Sequence, residues 1–264
     1  MFLGTAAALR VPSFHCSCDT CEAIRRNPSR QRTRASAALV GREVTVIDPG
    51  PDIEFQLERE RVRVVNRVFV THWHYDHVGG LAGLGEPASI GRWSPIELYV
   101  PEGDASHFDH ELAYFRRLVN LHPLNPGDAI AIPDAKIEVV KTTHTPTSLG
   151  YVVRAGRSLA YLVDSVLPPP DTVVRLQGLD LLVLEGTIDE LVPAQGEQWM
   201  NFSVAQAIEF WRGTGIHECI LTHWSGHSWR NRQLVPGFAE SERKDLLASH
   251  PGLGFAREGM RLPL

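Results

Sequence analysis

The stretch Thr71-His72-Trp73-His74-Tyr75-Asp76-His77 decides the reading of this chain. Val68-Phe69-Val70, an apolar and β-favouring run, leads directly into it, and Gly79-Gly80 follows. Three imidazoles and one carboxylate thus stand within six residues, just past the end of a predicted buried strand. Along an extended backbone, side chains two apart point the same way. His72, His74 and Asp76 therefore cannot share one face with His77, and the cluster must split into two groups once the chain turns. Two neighbouring groups, each needing partners from elsewhere, are what a two-metal site asks for. Imidazole and carboxylate are borderline ligands suited to Zn, Mn or Fe.

Other apolar runs end in the same way. Ile137 to Val140 runs into Thr142-Thr143-His144-Thr145, and Ser158 to Val163 ends at Asp164-Ser165. Leu181-Leu182-Val183-Leu184 is fully apolar with Glu185 at its end, and Cys219-Ile220-Leu221 ends at Thr222-His223. Strand ends gathered on one edge of a core hold a site rigidly. His144, Asp164 and His223 are accordingly candidate partners for His72, His74, Asp76 and His77.

The remaining pattern supplies the scaffold. Met1 to Pro12 reads as a first strand and glycine turn, and an Arg-rich helical stretch and loop spans Glu22 to Arg34. Ala37 to Val40 and Val44 to Ile47 read as a hairpin that ends at the breaker Asp48-Pro49-Gly50-Pro51. A helix capped by Asp52 is predicted to Glu60, and a strand over Leu98-Tyr99-Val100 is stopped by Pro101. Phe108, Leu112, Phe115 and Val119 lie near helical spacing, which predicts a helix from Asp104 to Leu121. Its His107, His110 and His122 read as ordinary surface or core histidines. Ile130 to Ile132 is a further strand, Gly150 to Val153 pairs with Ser158 to Val163, and Ser203 caps a helix through Arg212. The tail after Pro236 reads as a short helix and an edge strand.

Composition narrows the function. The chain has 264 residues, 43% hydrophobic and 22% charged, as in ordinary soluble globular enzymes. A net charge of -5 gives no basic field for gripping long nucleic acid. No run reaches the apolar length of a membrane span, and the N-terminus lacks a charged-then-apolar signal pattern, so a cytoplasmic protein is expected. Three of the four Cys fall in Cys16-Ser17-Cys18-Asp19-Thr20-Cys21. In a cytosolic protein such a cluster reads as a metal site before a disulfide framework.

With Asp48-Pro49-Gly50, His-x-His-x-Asp-His and the later His, Asp and His in this order, the sequence closely resembles the metallo-β-lactamase superfamily over nearly the whole chain. Within it, the Cys-x-Cys-x-x-Cys is similar to that of the cyclic-phosphate phosphodiesterases linked to carbon–phosphorus lyase pathways. The resemblance implies an α/β fold, a four-layer αβ/βα sandwich, as a single domain over residues 1–264 with a Cys-cluster zinc loop at about 13–34. It implies one metal on His72, His74 and His144, a second on Asp76, His77 and His223, and Asp164 bridging both. The two would be Zn or Mn, holding a bridging hydroxide that attacks phosphorus. Asp48 would orient the metal loop from behind. A structural Zn would sit on Cys16, Cys18 and Cys21, with His227 as fourth ligand and His15 as runner-up.

The implied activity is a binuclear metal-dependent hydrolase, a phosphodiesterase acting on a small cyclic or nucleotide-like phosphodiester. Arg32, Arg34, Ser148 and Ser225 are candidates for phosphate contact. The candidate catalytic residues are Asp76, which is also a ligand, and Asn201. In the resembled family a His just before the Ser203-type helix often protonates the leaving group. Here Asn201 holds that position, and an amide donates a hydrogen bond but no proton near neutral pH. Rival readings are an RNA-processing nuclease of the ribonuclease Z kind and a non-hydrolytic binding protein on the same fold. Against the nuclease, the chain has no long Gly/Pro- and Lys-rich insertion that could act as a tRNA-gripping arm. Relatives imply a homodimer.

Overall fold

The computed structural model describes residues 1–187, 201–230, 233–236 and 240–264. Six strands form the first sheet in chain order: β1 (Phe2–Gly4), β2 (Ser36–Val40), β3 (Val44–Ile47), β4 (Arg67–Phe69), β5 (Ile96–Pro101) and β6 (Val119–Leu124). The first pairings are antiparallel, and those from β3 to β6 are parallel. The second sheet repeats the scheme. Antiparallel β7 (Ala129–Ile132), β8 (Ala135–Lys141), β9 (Leu149–Arg154) and β10 (Ser158–Leu162) lead into parallel β11 (Leu181–Glu185) and β12 (Glu218–Thr222). After a ribbon of β13 (His227–Arg230) and β14 (Gln233–Pro236), β15 (Leu253–Phe255) closes the far edge beside β12. The expected hairpins, the core strands and the edge strand of the tail are all present.

The helices are α1 (Asp19–Arg26), α2 (Ile53–Arg59), α3 (Tyr75–Val78), α4 (Leu81–Ser89), α5 (Ala105–Glu111), α6 (Pro170–Arg175), α7 (Val204–Thr214) and α8 (Glu240–Ser249). Strands with both faces covered read as continuous apolar runs, and the burial shows why. In β11, Leu182 and Leu184 pack with Val204, Ile208 and Trp211 of α7, while Leu181 and Val183 face the other sheet. Around β4, Val68 and Val70 pack with Ile53, Leu84 and Phe108 of the helical layer, and Phe69 faces inward. The order is helix, sheet, sheet, helix, the αβ/βα sandwich. Ser203 opens α7 with a full capping box, its hydroxyl accepting from the Gln206 amide. No helix among the described residues is long and apolar enough to cross a membrane.

Two sequence expectations are corrected. The predicted helix from Asp104 to Leu121 stops at Glu111, passes through a 3-10 turn at Ala113–Leu118 and becomes strand β6. Val119 to Leu124 pairs in register with β5, and those long-range backbone bonds outweigh the helical spacing. The spacing still marked the right face, because Phe108, Leu112, Phe115 and Val119 all pack into the same outer core. Asp52 stands at the start of α2 but does not cap it with its side chain. Its carboxylate accepts instead from the Arg34 amide at 3.0 Å and the Arg34 guanidinium at 3.1 Å.

Phe69 shows what holds the two sheets together. Fully buried, it stacks on Tyr99 at 4.4 Å and meets Tyr151 edge-on at 5.3 Å. We expect Phe69→Ala to lower unfolding free energy by about 3–5 kcal/mol, read as a shift of the urea midpoint. A shift worth under about 1 kcal/mol would show that this contact does not carry the interface between sheets.

Candidate metal centre

The candidate ligands lie where strands give out. Asp48 follows β3, Thr71 and His72 follow β4, His144 follows β8, Asp164 follows β10, and His223 follows β12 directly. At three of these ends the backbone turns sharply. Asp48, Asp164 and His223 hold φ of 57°, 55° and 49°, left-handed values that non-glycine residues rarely adopt. Such strain concentrates where the fold must aim a side chain. Pro49 and Gly50 then receive the metal loop, with the Gly80 amide donating to the Pro49 carbonyl at 2.9 Å. A Cβ on Gly50 would stand 2.0 Å from the Asp76 carbonyl, so only glycine admits this approach.

The cluster divides into two groups, as the motif demanded. In the first, His72, His74, His144 and Asp164 each present a ligand atom, all within 4.8 Å of one another. In the second, Asp76, His77, Asp164 and His223 do the same. Asp164 belongs to both: its Oδ2 lies 3.1 Å from His77 Nε2, 3.5 Å from His72 Nε2 and 3.6 Å from His144 Nε2. Asp76 Oδ2 lies 3.4 Å from His77 Nε2 and 3.5 Å from His223 Nε2. All seven residues expected as active-site ligands are therefore brought together.

Behind them lies a second row of contacts. Asp48, fully buried, places Oδ2 2.9 Å from His77 Nδ1 and accepts the Thr71 amide at 2.8 Å. Thr71 Oγ1 lies 3.0 Å from His72 Nδ1. These contacts fix which ring nitrogen faces the site, a role that outer partners of ligating histidines commonly fill. Lys141 donates to the Pro146 carbonyl at 2.6 Å and the Ser148 carbonyl at 3.1 Å, which pins the loop carrying His144.

Glu185 was read from sequence only as the end of an apolar strand; the structure makes it part of the site. Its fully buried carboxylate accepts from the Ser165 amide, the Thr187 hydroxyl and, at 2.6 Å, the Asn201 amide. The same Asn201 nitrogen lies 3.2 Å from Asp164 Oδ1. Thr187 Oγ1 lies 3.0 Å from His223 Nδ1. The signal available for Glu185 was the one used for the ligands, an acid closing a fully apolar strand.

The remaining candidates separate. Cys16, Cys18 and Cys21 bring their sulfurs within 4.8 Å of one another, Cys18 and Cys21 straddling the start of α1. The runner-up His15 is exposed, stands edge-on to Phe14 and does not join that group. His227 begins β13, and its side chain lies outside the described residues. Arg32 and Arg34, expected as phosphate contacts, are engaged within the protein. Arg32 lies 3.3 Å over the Trp224 ring and donates to the Trp224 carbonyl at 2.8 Å, while Arg34 is held by Asp52. Ser148 is buried and donates to the Thr145 carbonyl at 3.0 Å, so it builds the His144 loop. The Ser225 amide donates to the Thr187 carbonyl at 3.0 Å.

The two groups differ electrostatically. Burial, with His77 alongside, lowers the pKa of His72 well below the ordinary imidazole value; burial and His144 lower that of His74. Both rings are thus biased toward the neutral form that a metal requires. Burial works the same way on His77 and His223, yet carboxylates override it. Asp48, Asp164 and Asp76 raise His77 well above the usual value, and Asp164 leads in raising His223. Without a metal the second group thus holds protons where a cation would sit. Imidazole and carboxylate in these numbers fit a divalent ion in each group.

Residues 44–224 match the family described as the β-lactamase superfamily domain. The chain belongs to the metallo-β-lactamase superfamily. Among curated relatives, ribonuclease Z of Nocardia farcinica is 24% identical, across 82% of this chain and 88% of that one. Among solved structures, a diphosphatase from the PhnP family superposes with a TM-score of 0.79 at 24% identity, covering 99% of this chain and 95% of that one. Zn2+-bound PqqB from Methylobacterium extorquens gives 0.80 at 20% identity, with 100% and 99% covered. These two structures share the superfamily fold with this chain.

Two outcomes follow for this metallo-β-lactamase-fold site. Filling it at pH 7 should release protons, one each from His77 and His223, and affinity should rise with pH because protons and metal compete. Zinc calorimetry in buffers of differing ionisation enthalpy reads this, and a buffer-independent heat would contradict it. Gly50→Ala should push back the Asp76 carbonyl, costing about 1–3 kcal/mol and weakening the second group's metal more than the first's. Stepwise cobalt titration by absorbance distinguishes the two groups, and equal loss at both would count against that placement.

Proposed function

We propose that this protein is a binuclear metal-dependent phosphodiesterase acting on a small cyclic or nucleotide-like phosphodiester. The observation that carries the reading is Asp164, shared between two complete ligand groups. His72, His74 and His144 would hold one divalent ion, and Asp76, His77 and His223 the other, as Zn or Mn. When bound, the pair supplies an activated water and offsets negative charge at phosphorus. Hydrolysis at phosphorus is supported by relatives of two kinds, a ribonuclease Z and a PhnP-family diphosphatase. A separate structural zinc on Cys16, Cys18 and Cys21, with His227 as fourth ligand, would clip the loop ahead of α1.

The chain's own residues then define the rest. Asp48 and Thr71 hold the rings of His77 and His72, which would present them to the metals already oriented. Asn201 holds the position that the resemblance gives to a proton-donating His, and its amide bonds Asp164 and Glu185. An amide at that point positions the shared carboxylate and delivers no proton. The best substrate is therefore one whose leaving group departs with little protonation.

Phosphorus NMR of metal-loaded protein with 5-phosphoribosyl 1,2-cyclic phosphate tests the reading. We expect turnover that is lost in His74→Ala. Inert cyclic phosphate together with cleavage of 3′-extended tRNA would favour the ribonuclease Z reading, which the Nocardia relative supports. Asn201→Ala should lower kcat by less than about tenfold, whereas loss of about a hundredfold or more, the scale of an acid–base group, would overturn the positioning role.

A further inference from the structure

The histidines of the first ligand group come from two loops far apart in sequence. His72 and His74 follow β4, and His144 lies between β8 and β9. At their base the loops are joined by the Leu149 amide, which donates to the Thr71 carbonyl at 2.8 Å. Farther out, a single segment touches both of them. It is Glu102–Glu111, the 3-10 turn and α5 that follow β5.

Its far end meets the first loop at Trp73, which stands between the ligands His72 and His74 and packs against the outer core. The indole N–H donates to Glu111 Oε1 at 3.2 Å. His107 Nδ1 lies 3.3 Å from the same oxygen, and the His107 ring stacks on the indole at 5.9 Å and 17°.

Its near end meets the second loop at Thr147. A Cβ on Gly103 would collide with Thr147 Cγ2, so the two backbones lie close. The loop itself is folded round an ammonium: Lys141 Nζ donates to the carbonyls of Thr145, Pro146 and Ser148 at 3.3, 2.6 and 3.1 Å. Three donors on a compact point charge match three converging carbonyls, which an Arg fork would not. Burial lowers the Lys141 pKa, and the buried Asp104 of the same 3-10 turn opposes that shift. The loop is thereby tied into one body, so a push on Thr147 is passed on to His144.

We propose that Glu102–Glu111 is a brace for the first metal. By holding Trp73 at one end and Thr147 at the other, it fixes the distance between the His72–His74 pair and His144. Gly103, His107 and Glu111 are then positioning residues, and none of them is a ligand. The inference rests on the two-metal reading above and separates the two groups. Asp76 and His77 have their own anchor at Asp48 and Gly50, so the second group depends less on the brace.

Stepwise cobalt titration by absorbance, its steps assigned with His74→Ala and His223→Ala, tests the proposal. In Glu111→Ala and in Gly103→Ala the first group's ion should bind about tenfold more weakly, the low end of the range for outer partners of metal ligands. The second group's affinity should stay within about twofold. Two rescues distinguish positioning from general loosening. Glu111→Gln keeps an acceptor for the indole and should retain the affinity. Thr147→Ser removes the methyl group that Gly103→Ala meets and should restore the affinity in the double variant. Gly103 and Glu111 are both exposed, so these variants should fold, with thermal midpoints close to that of the unsubstituted protein. Equal loss at both groups, loss from only one of the two substitutions or from neither, or a rescue that fails would overturn the brace and leave the two-metal reading standing. An unsubstituted chain that takes up no cobalt at the His and Asp ligands would overturn both.

Discussion

Asp164 is the constraint on which the rest of the site depends. Its carboxylate, almost fully buried, faces His72, His77, His144 and His223 at once. Asp48, Asp76 and Glu185 add three more carboxylates within the same cluster of contacts. Burying so many negative groups is costly unless cations accompany them. The imidazoles answer part of this by holding protons, as the raised His77 and His223 show. Divalent ions answer it better, since one ion replaces several protons and satisfies several lone pairs.

That demand accounts for features otherwise hard to place. Left-handed backbone at Asp48, Asp164 and His223 is unfavourable taken alone, yet each directs a side chain of the candidate centre onto one edge. Gly50 is needed because the turn after β3 must lie against the Asp76 carbonyl. Tyr151, buried between the sheets, donates to the Val70 carbonyl and so braces the strand exit just before the metal loop. The core thus sets the direction of the ligands as well as the stability of the fold.

Much of this could be read from the sequence because the site is carried by strand ends. An apolar run followed by His or Asp is visible in one dimension, and His72, His144, Asp164 and His223 all announce themselves that way. Partnerships between distant residues are not visible. Arg34 finds Asp52 and Arg32 finds Trp224 only after the chain has folded, so neither could be told from a phosphate contact beforehand. The segment after Glu111 shows the same limit. Its apolar spacing fits a helix, but the open edge of β5 offered Val119 to Leu124 a ladder of hydrogen bonds.

Asn201 and Glu185 are joined by a short hydrogen bond beside the shared carboxylate. In a row of carboxylates, an amide donor is a neutral group that bonds two oxygens without adding another metal-binding lone pair as an imidazole would. Burial and the neighbouring Asp164 raise the pKa of Glu185, and the Asn201 amide, 2.6 Å away, gives its oxygen a donor. Replacing this amide by a carboxylate, as in Asn201→Asp, would add a further negative charge against Asp164 and Glu185. The position should therefore tolerate a loss of hydrogen bonding better than a gain of charge, in keeping with the positioning role proposed for it.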